Sequence, residues 1–457
     1  MSSSSVAITT QSNQQQDQWK QINIQCEIEK ANKKMPSKNK THSLYNIENI
    51  TTILPEEIVE QSKHQIIKIC LTGGPCAGKT SGLAFLSEKL KDDDFKVYLI
   101  PEAATLISTG GGMLEQSNYT DEQIINFQKI LMRIQMSLED QFYQLAEMSG
   151  KQSILICDRG LLDGKAFLQQ KQWYKILKEM NVSEQEIRDK RYDSVFHLVT
   201  AANGASDYYI MDGARFQNKD QAIEIDKKFQ KAWMGHQKLE IIDNITVNSF
   251  QEKLQKLLYL IRKSSGIPVK GPKLYKRLVI VNPENHPNLP SYLQYESFEI
   301  EDIFLYNQEY NENKGKLTKI RKRIQNNEYI YICSENHIIN GKQTMYYKKR
   351  LNFREYELIK DRQDTKRSTI RKNRRQFVHN GCFYALDKFK EFDMCILRIK
   401  NISDNNIANI IPEFLTIDAD VTDNKEFRSI NLSLKSSPLR NADFLKQVVY
   451  QIKEQQK

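Results

Sequence analysis

Apolar positions follow two rhythms along this chain, and the rhythm changes near residue 270. Between residues 63 and 263, short continuous apolar runs alternate with stretches in which apolar residues recur every three or four positions. The runs are Ile66-Ile67-Lys68-Ile69-Cys70-Leu71, Lys96-Val97-Tyr98-Leu99-Ile100, Ser153-Ile154-Leu155-Ile156-Cys157, Val195-Phe196-His197-Leu198-Val199 and Glu240-Ile241-Ile242. Short apolar runs without alternation predict parallel strands buried on both faces. Leu83, Leu86 and Leu90 keep helical spacing behind the first strand. A longer stripe of Ile124, Phe127, Leu131, Ile134, Leu138 and Phe142 predicts a long amphipathic helix. Thr120 with Gln123, and Ser249 with Glu252, supply capping boxes at two helix starts. Such alternation predicts an α/β domain with a mostly parallel sheet.

Beyond a Ser-, Gly- and Pro-marked linker at 264–273, the rhythm shortens to two. Strand-like alternation occupies 297–305, 317–324, 329–333, 344–351, 377–383, 394–400 and 414–421, which predicts a second, mainly antiparallel β domain over 274–435. A C-terminal helix or tail fills 436–457. Residues 1–62 carry serine and glutamine runs and a Lys-rich stretch without apolar period, and read as a disordered tail.

Composition narrows the picture little, but charge narrows it a good deal. The 457 residues are 39% hydrophobic, enough for two cores. No apolar run approaches the roughly 18 residues of a membrane span. Seven cysteines without paired C-x-x-C spacing predict a reduced, cytoplasmic chain. The net charge is +10, and residues 311–380 hold 19 Lys and Arg against 7 Asp and Glu, a local excess of 12. That segment predicts an anionic partner: a phosphoinositide headgroup, a polyphosphate or a nucleic acid. Aromatic residues interleave with the bases, but no RRM, KH or zinc-knuckle pattern appears, so nucleic acid ranks last.

The sharpest motif is Gly73-Gly74-Pro75-Cys76-Ala77-Gly78-Lys79-Thr80, a G-x-x-x-x-G-K-[ST] loop between a predicted strand and a predicted helix. Glycines let backbone N–H groups converge on a polyphosphate, Lys79 neutralises its oxygens, and the Thr80 hydroxyl reaches Mg²⁺. Asp158 ends an apolar strand, where a second Mg²⁺-side acid belongs. Glu102 ends the second strand, either as a base or anchor for an acceptor or as a charge at a helix start. Arg215 lies in an irregular stretch where a lid arginine would stabilise a transferring phosphate. The guanine-reading N-K-x-D string is absent: in Asn218-Lys219-Asp220 the acid comes one residue early. Purine preference, GTP or ATP, stays open.

These strings resemble a known family. LTGGPCAGKTSGL (71–83), VYLIPEAATLI (97–107), ICDRGLLDGKAF (156–167) and RYDSVFHLVTAANGA (191–205) are similar to the AAA-type domain of nicotinamide-riboside-kinase-like proteins and of the TRPL translocation defect protein fourteen family. The resemblance implies GTP or ATP binding, with Asp158 on the metal side. It extends past the linker, where the chain resembles a CYTH-like barrel domain. That domain opens with E-x-E-x-K, matched here by Glu299 and Glu301 with Ile303 replacing the lysine; alternation would set both acids on one face as a Mg²⁺ pair. Arg321 with Arg323, Lys348 with Arg350, Arg354 with Tyr356, and Lys372 with Arg374 repeat at i, i+2 and would line the interior for phosphate. Glu413, Asp418 and Asp420 fall where late metal-side acids are expected. The family implies phosphoinositide binding and a part in membrane-protein trafficking, with peripheral membrane contact. The alternatives are a small-molecule kinase and a tunnel-type triphosphatase, the latter weakened by Ile303.

Overall fold

A computed structural model describes residues 65–456 except 94, 113–118, 210–217, 268, 270–274, 282–286, 309, 311–313, 340–341, 381 and 401–410, and describes only the backbone of 342–347. The expected tail at 1–62, Arg215 and part of the expected linker lie outside the described residues. Lys63 to Lys457 forms one compact unit containing two sheets.

The first sheet has strands β1 (Ile66–Gly73), β2 (Lys96–Ile100), β3 (Ser153–Asp158), β4 (Ser194–Leu198) and β5 (Leu239–Ile242), in the order β2-β3-β1-β4-β5. All of its pairings are parallel, as the unalternated apolar runs predict. Successive residues feed two separate cores. Ile67, Ile69 and Leu71 of β1, with Ile154 and Ile156 of β3, pack on one face against Leu83 and Leu86 of helix α1 (Lys79–Lys89). Cys70, Leu155 and Cys157 point to the other core. There they meet Ile125 and Met132 of a later helix (Asp121–Ser149) and Trp173 of another (Gln170–Met180). Between these elements lies α2 (Ala103–Thr109), so the two later helices are α3 and α4.

Helix α3 begins with the expected capping box, Thr120 accepting from the Gln123 N–H and Gln123 from the Thr120 N–H. Its inward stripe is rotated from the expected one: Ile125, Met132, Gln135, Glu139 and Ala146 are buried, and the six apolar residues of the predicted stripe are half-buried flanks. The polar members explain the rotation. Glu139 is fully buried and binds Arg191 (2.5 Å), the Tyr192 hydroxyl (2.7 Å) and Lys68 (3.5 Å), so this face carries an ionic network that hydropathy does not reveal.

Helices α5 (Lys219–Trp233) and α6 (Phe250–Ser264) complete the first domain. Among the described residues the second sheet has nine strands, β6 (Tyr275–Val281), β7 (Tyr295–Phe304), β8 (Lys314–Gln325), β9 (Glu328–Ile339), β10 (Lys342–Leu351), β11 (Ile370–His379), β12 (Cys382–Phe389), β13 (Met394–Lys400) and β14 (Ala419–Asp420). Their order is β10-β9-β8-β7-β11-β12-β13-β6-β14, antiparallel throughout. Asn326 and Asn327 both take positive φ (50° and 62°), the geometry that a two-residue hairpin needs between β8 and β9. Asn380 (φ 46°) turns the chain between β11 and β12, so the single strand expected at 377–383 is the end of one strand and the start of the next. The segment expected as a strand at 414–421 contributes only β14.

Neighbouring strands stand about 4.8 Å apart, so β10 and β11, four places apart in the order, would be separated by roughly 19 Å in a flat sheet. Lys348 of β10 and Arg374 of β11 nevertheless line one cavity, so the sheet is strongly curved. Among the described pairings β10 and β14 remain edges, and the first domain covers part of the concave side. Phe383 and Ala385 of β12 join the same core as Cys70, Trp173 and Trp233, which fastens the two sheets together. No helix among the described residues is long and apolar enough to cross a membrane.

Candidate functional site

The loop at residues 73–80 lies at the carboxyl end of β1, the central strand, flanked by β3 and β4. In open parallel sheets this is where ligands bind. Two glycines are dictated by space. At Gly73 (φ +152°) a Cβ would meet the Leu198 carbonyl oxygen at 2.2 Å. At Gly78 (φ +89°) it would meet the Phe250 ring at 2.4 Å. Gly78 is the N-cap of α1 and offers no side-chain cap, so the first N–H groups of an eleven-residue helix have no capping side chain. An anion is the natural partner of such a terminus.

Lys79 folds back over the loop. Its ammonium donates to the carbonyls of Gly73 (3.0 Å) and Gly74 (3.1 Å). Burial, then the Arg159 guanidinium, lowers it to about 8, against the pull of Asp158, Asp163 and Glu102. A phosphate would remove that penalty by supplying the missing negative charge. Thr80 is exposed in the first turn of α1.

Asp158 ends β3 beside the loop, in register with Leu71 of β1. Its Oδ1 is buried and has no hydrogen-bond partner among the described residues. Burial first, and then the Glu102 carboxylate, push its carboxyl above the usual range. A buried, unpartnered carboxylate oxygen beside a phosphate loop fits a divalent cation, with Thr80 as its companion ligand. Glu102 sits at the N-cap position of α2 without capping it, and pairs with Arg159 at 2.8 Å.

Four residues that the sequence reading passed over complete the site. Arg159 takes a left-handed conformation (φ 66°), which turns its guanidinium towards the Gly73 carbonyl (3.2 Å) and over the Phe229 ring (4.8 Å). Asp163 accepts from Thr72 (2.7 Å) and from the Trp233 indole (2.6 Å). Asp226 accepts from the Gly74 N–H (2.8 Å), and His197 lies 3.1 Å from the same oxygen. Lys253 supports the loop from behind through the carbonyls of Ala77 (3.2 Å) and Val199 (2.7 Å). A lysine at a buried position of a predicted amphipathic helix was the one available signal.

The curved sheet holds a second candidate site, a cavity of about 120 Å³. Among the described residues, Lys238, Lys319, Arg321, Arg323, Lys348 and Arg374 line it, together with Gln237, Gln376, Ser334 and three apolar residues, and no carboxylate does. Three buried acids stand behind these cations. Asp302 holds Arg321 (2.6 Å), Lys319 (3.7 Å) and Lys372 (3.4 Å). Asp387 holds Lys372 (3.3 Å), Arg374 (2.5 Å) and Arg398 (2.9 Å). Asp189 holds Arg188 and Arg323, both at 2.7 Å. Seven cations thus share these three carboxylates, with Lys372 held by two of them. Burial would raise the Asp302 and Asp387 carboxyls, but the surrounding cations outweigh it and hold both far below the usual range. Lys238 and Lys319 are pushed down to about 8 by burial, and Lys348 well below its usual range.

The expected second-domain residues divide. Arg321, Arg323, Lys348 and Arg374 come together at the cavity, and Lys372 lies fully buried between Asp302 and Asp387. Arg350 instead binds the Tyr192 carbonyl (2.7 Å) of the first domain. Arg354 is exposed on helix α7 (Phe353–Lys360), not on a strand, because Asn352 and Glu355 form a capping box there. Glu299 and Glu301 are one residue out of phase: Phe298 and Ile300 line the cavity and Asp302 is buried, so the two glutamates face outward. Glu299 pairs with Lys390 (3.5 Å) and Glu301 with Arg371 (3.7 Å), which removes the expected interior metal pair. Asp418 accepts from the Val281 N–H, Asp420 pairs with Lys276, both at 2.8 Å, and Glu413 is exposed. Among the described residues no group of three or more His, Cys, Asp or Glu is placed to hold a metal.

No curated protein matches this chain in sequence. Among solved structures, thymidylate kinase from Ehrlichia chaffeensis is similar over 44% of this chain and 98% of its own, at 16% identity and a TM-score of 0.29. The inorganic triphosphatase NE1496 is similar over 37% of this chain and 98% of its own, at 13% identity and a TM-score of 0.27. The family model of the AAA domain matches residues 68–253, which contain the glycine loop, Glu102, Asp158 and the buried supports of the loop. Residues 68–253 form an AAA-type P-loop domain.

Proposed function

We propose that this chain binds a purine nucleotide, GTP or ATP, with Mg²⁺ at residues 73–80, and holds a second, phosphate-bearing anion in the cavity of its curved sheet. The observation that carries the reading is the joint presence, in one compact unit, of an uncapped glycine loop and a cavity whose described lining holds six cations and no acid. Asp158 and Thr80 would hold the ion, which when bound neutralises charge on the phosphate oxygens. Lys79 binds the terminal phosphates, and Lys253 keeps the loop backbone in place through the Ala77 carbonyl.

The second anion is a phosphomonoester or polyphosphate, because clustered guanidinium and ammonium groups match its several acceptor oxygens. A phosphoinositide headgroup and a free phosphate share this chemistry. With a lipid source, the chain acts as a peripheral membrane or membrane-protein trafficking factor, and the excess of positive charge in residues 311–380 supports approach to an anionic leaflet. One observation favours a second reading, a small-molecule kinase: Glu102 and Arg159, paired at 2.8 Å beside Lys79, supply an acid and a guanidinium where an acceptor would sit. A triphosphatase in the second sheet has no such support, since Glu299 and Glu301 face away from the cavity.

The depressed lysines give the cavity a pH signature. An anion favours their charged forms, so each neutral lysine takes up a proton on binding, and affinity falls as pH rises. Titration with inositol 1,4,5-trisphosphate is expected to show proton uptake and an affinity that drops at least about tenfold between about pH 7 and pH 9. A flat profile would contradict the assignment. Binding to phosphatidylcholine vesicles only when phosphatidylinositol phosphates are included would identify the lipid source; binding of the soluble compound alone would identify a free anion.

A further inference from the structure

One segment touches both candidate sites. Helix α5 and the residues after it, 219–238, run from the phosphate loop to the cavity of the second sheet. In the middle of α5, Asp226 (2% exposed) accepts from the N–H groups of Gly74 (2.8 Å) and Thr200 (3.2 Å). At the helix end, the fully buried Trp233 donates to Asp163, which also accepts from Thr72 at the approach to the loop. Immediately beyond, the Gly235 carbonyl accepts from Arg323, and the Gln237 side chain accepts from Lys348 (2.8 Å). Arg323 and Lys348 both line the cavity, as does Lys238 of the segment itself.

The turn between helix and cavity has little slack. Gly235 takes φ +95°, and a Cβ there would meet Arg188 at 2.7 Å and the Phe298 ring at 2.9 Å. His236 is buried against the Tyr192 carbonyl (3.1 Å). Ala222, Asp226, Phe229, Gln230, Ala232 and Trp233 are buried along α5, so the helix moves as a body or not at all.

We propose that residues 219–238 act as a latch that couples the two sites, so that nucleotide on the loop and an anion in the cavity each tighten the binding of the other. This rests on the two-site reading above and adds regulation to it. Each ligand competes with one end of the latch. A polyphosphate on the loop meets the Asp226 carboxylate, which already occupies the Gly74 N–H and repels a second negative charge. An anion in the cavity draws Arg323 and Lys348 away from the Gly235 carbonyl and Gln237. Whichever binds first loosens the shared segment, and the second ligand no longer bears that cost. The differential contacts at both ends are what a population shift requires.

The test uses the full chain, a non-hydrolysable Mg²⁺–ATP or Mg²⁺–GTP analogue, and inositol 1,4,5-trisphosphate as the cavity probe, all by calorimetry. Saturating inositol trisphosphate is expected to tighten the nucleotide about tenfold, within the roughly 5–150-fold range of such couplings. Saturating nucleotide must tighten inositol trisphosphate by the same factor, because binding linkage is reciprocal. In Gln237→Ala, whose melting temperature is checked alongside, the coupling factor is expected to move towards one. Asp226→Asn, which removes the repulsive charge at the other end, should lower it as well. Two ligands that bind with unchanged or mutually weakened affinities overturn the latch while leaving both sites standing. Absence of inositol trisphosphate binding in every condition overturns the cavity reading and the latch together.

Discussion

Lys79→Ala is expected to weaken Mg²⁺–nucleotide binding at least about 100-fold, because the variant loses a charge-assisted contact to the phosphates in a largely desolvated site. The chain should stay folded. In the ligand-free protein Lys79 is held against its preference: burial and Arg159 lower it to about 8, and its hydrogen bonds go only to the carbonyls of Gly73 and Gly74. Removing a strained charge costs the fold little, so the thermal midpoint without nucleotide is expected to shift by no more than a few degrees. Calorimetry and a melting curve on the same preparation check both halves. Near-normal nucleotide affinity in a folded Lys79→Ala protein would remove the phosphate loop from the account.

The largest effect on stability is expected at Asp387. This side chain is fully buried and holds Lys372, Arg374 and Arg398 at once, with Lys372 itself fully buried. Asp387→Ala leaves those cations facing one another with a single nearby carboxylate, Asp302. Breaking a buried ionic group from one side costs about 3–5 kcal/mol, since the remaining charges lose their partner and keep their desolvation. Denaturant unfolding is expected to show a loss of that size, partly restored by high concentrations of inositol trisphosphate if the cavity binds it. Glu299→Gln is the control. That residue is 58% exposed at its side chain and pairs only across 3.5 Å with Lys390, so its loss should stay within about 0.5 kcal/mol. Equal effects at the two positions would mean that the outer and inner faces of β7 and β12 are assigned the wrong way round.

The first domain was legible where its information is local. The loop at residues 73–80 is contiguous, its strand and helix flank it directly, and the five apolar runs differ by only a residue or two from the observed strands. The supports of the loop were not legible. Asp163, Asp226 and Lys253 lie far along the chain and meet the loop only through the sheet order, and Arg159 is aimed by a left-handed backbone that its sequence does not announce. Binary patterning failed where an interior is charged. Gln135 and Glu139 sit on the buried stripe of α3, so the half-buried apolar flanks give the stronger helical period in the sequence. Strand β11 (Ile370–His379) is not marked by hydropathy over its first seven residues, because charge occupies its interior positions, although Lys372 and Arg374 are expected inside from their i, i+2 spacing. For the same reason the two glutamates of β7 drew attention away from Asp302, the acid that faces the cations.

The claim on which the rest depends is that residues 73–80 grip the phosphates of a purine nucleotide, with a metal ion at Asp158. Calorimetric titration of the full chain with ATP and with GTP, each with Mg²⁺ and again with EDTA, tests it most directly. The account predicts one molecule of at least one of the two nucleotides bound per chain, with affinity falling when Mg²⁺ is removed. Absence of binding for both nucleotides in the presence of Mg²⁺ would contradict it.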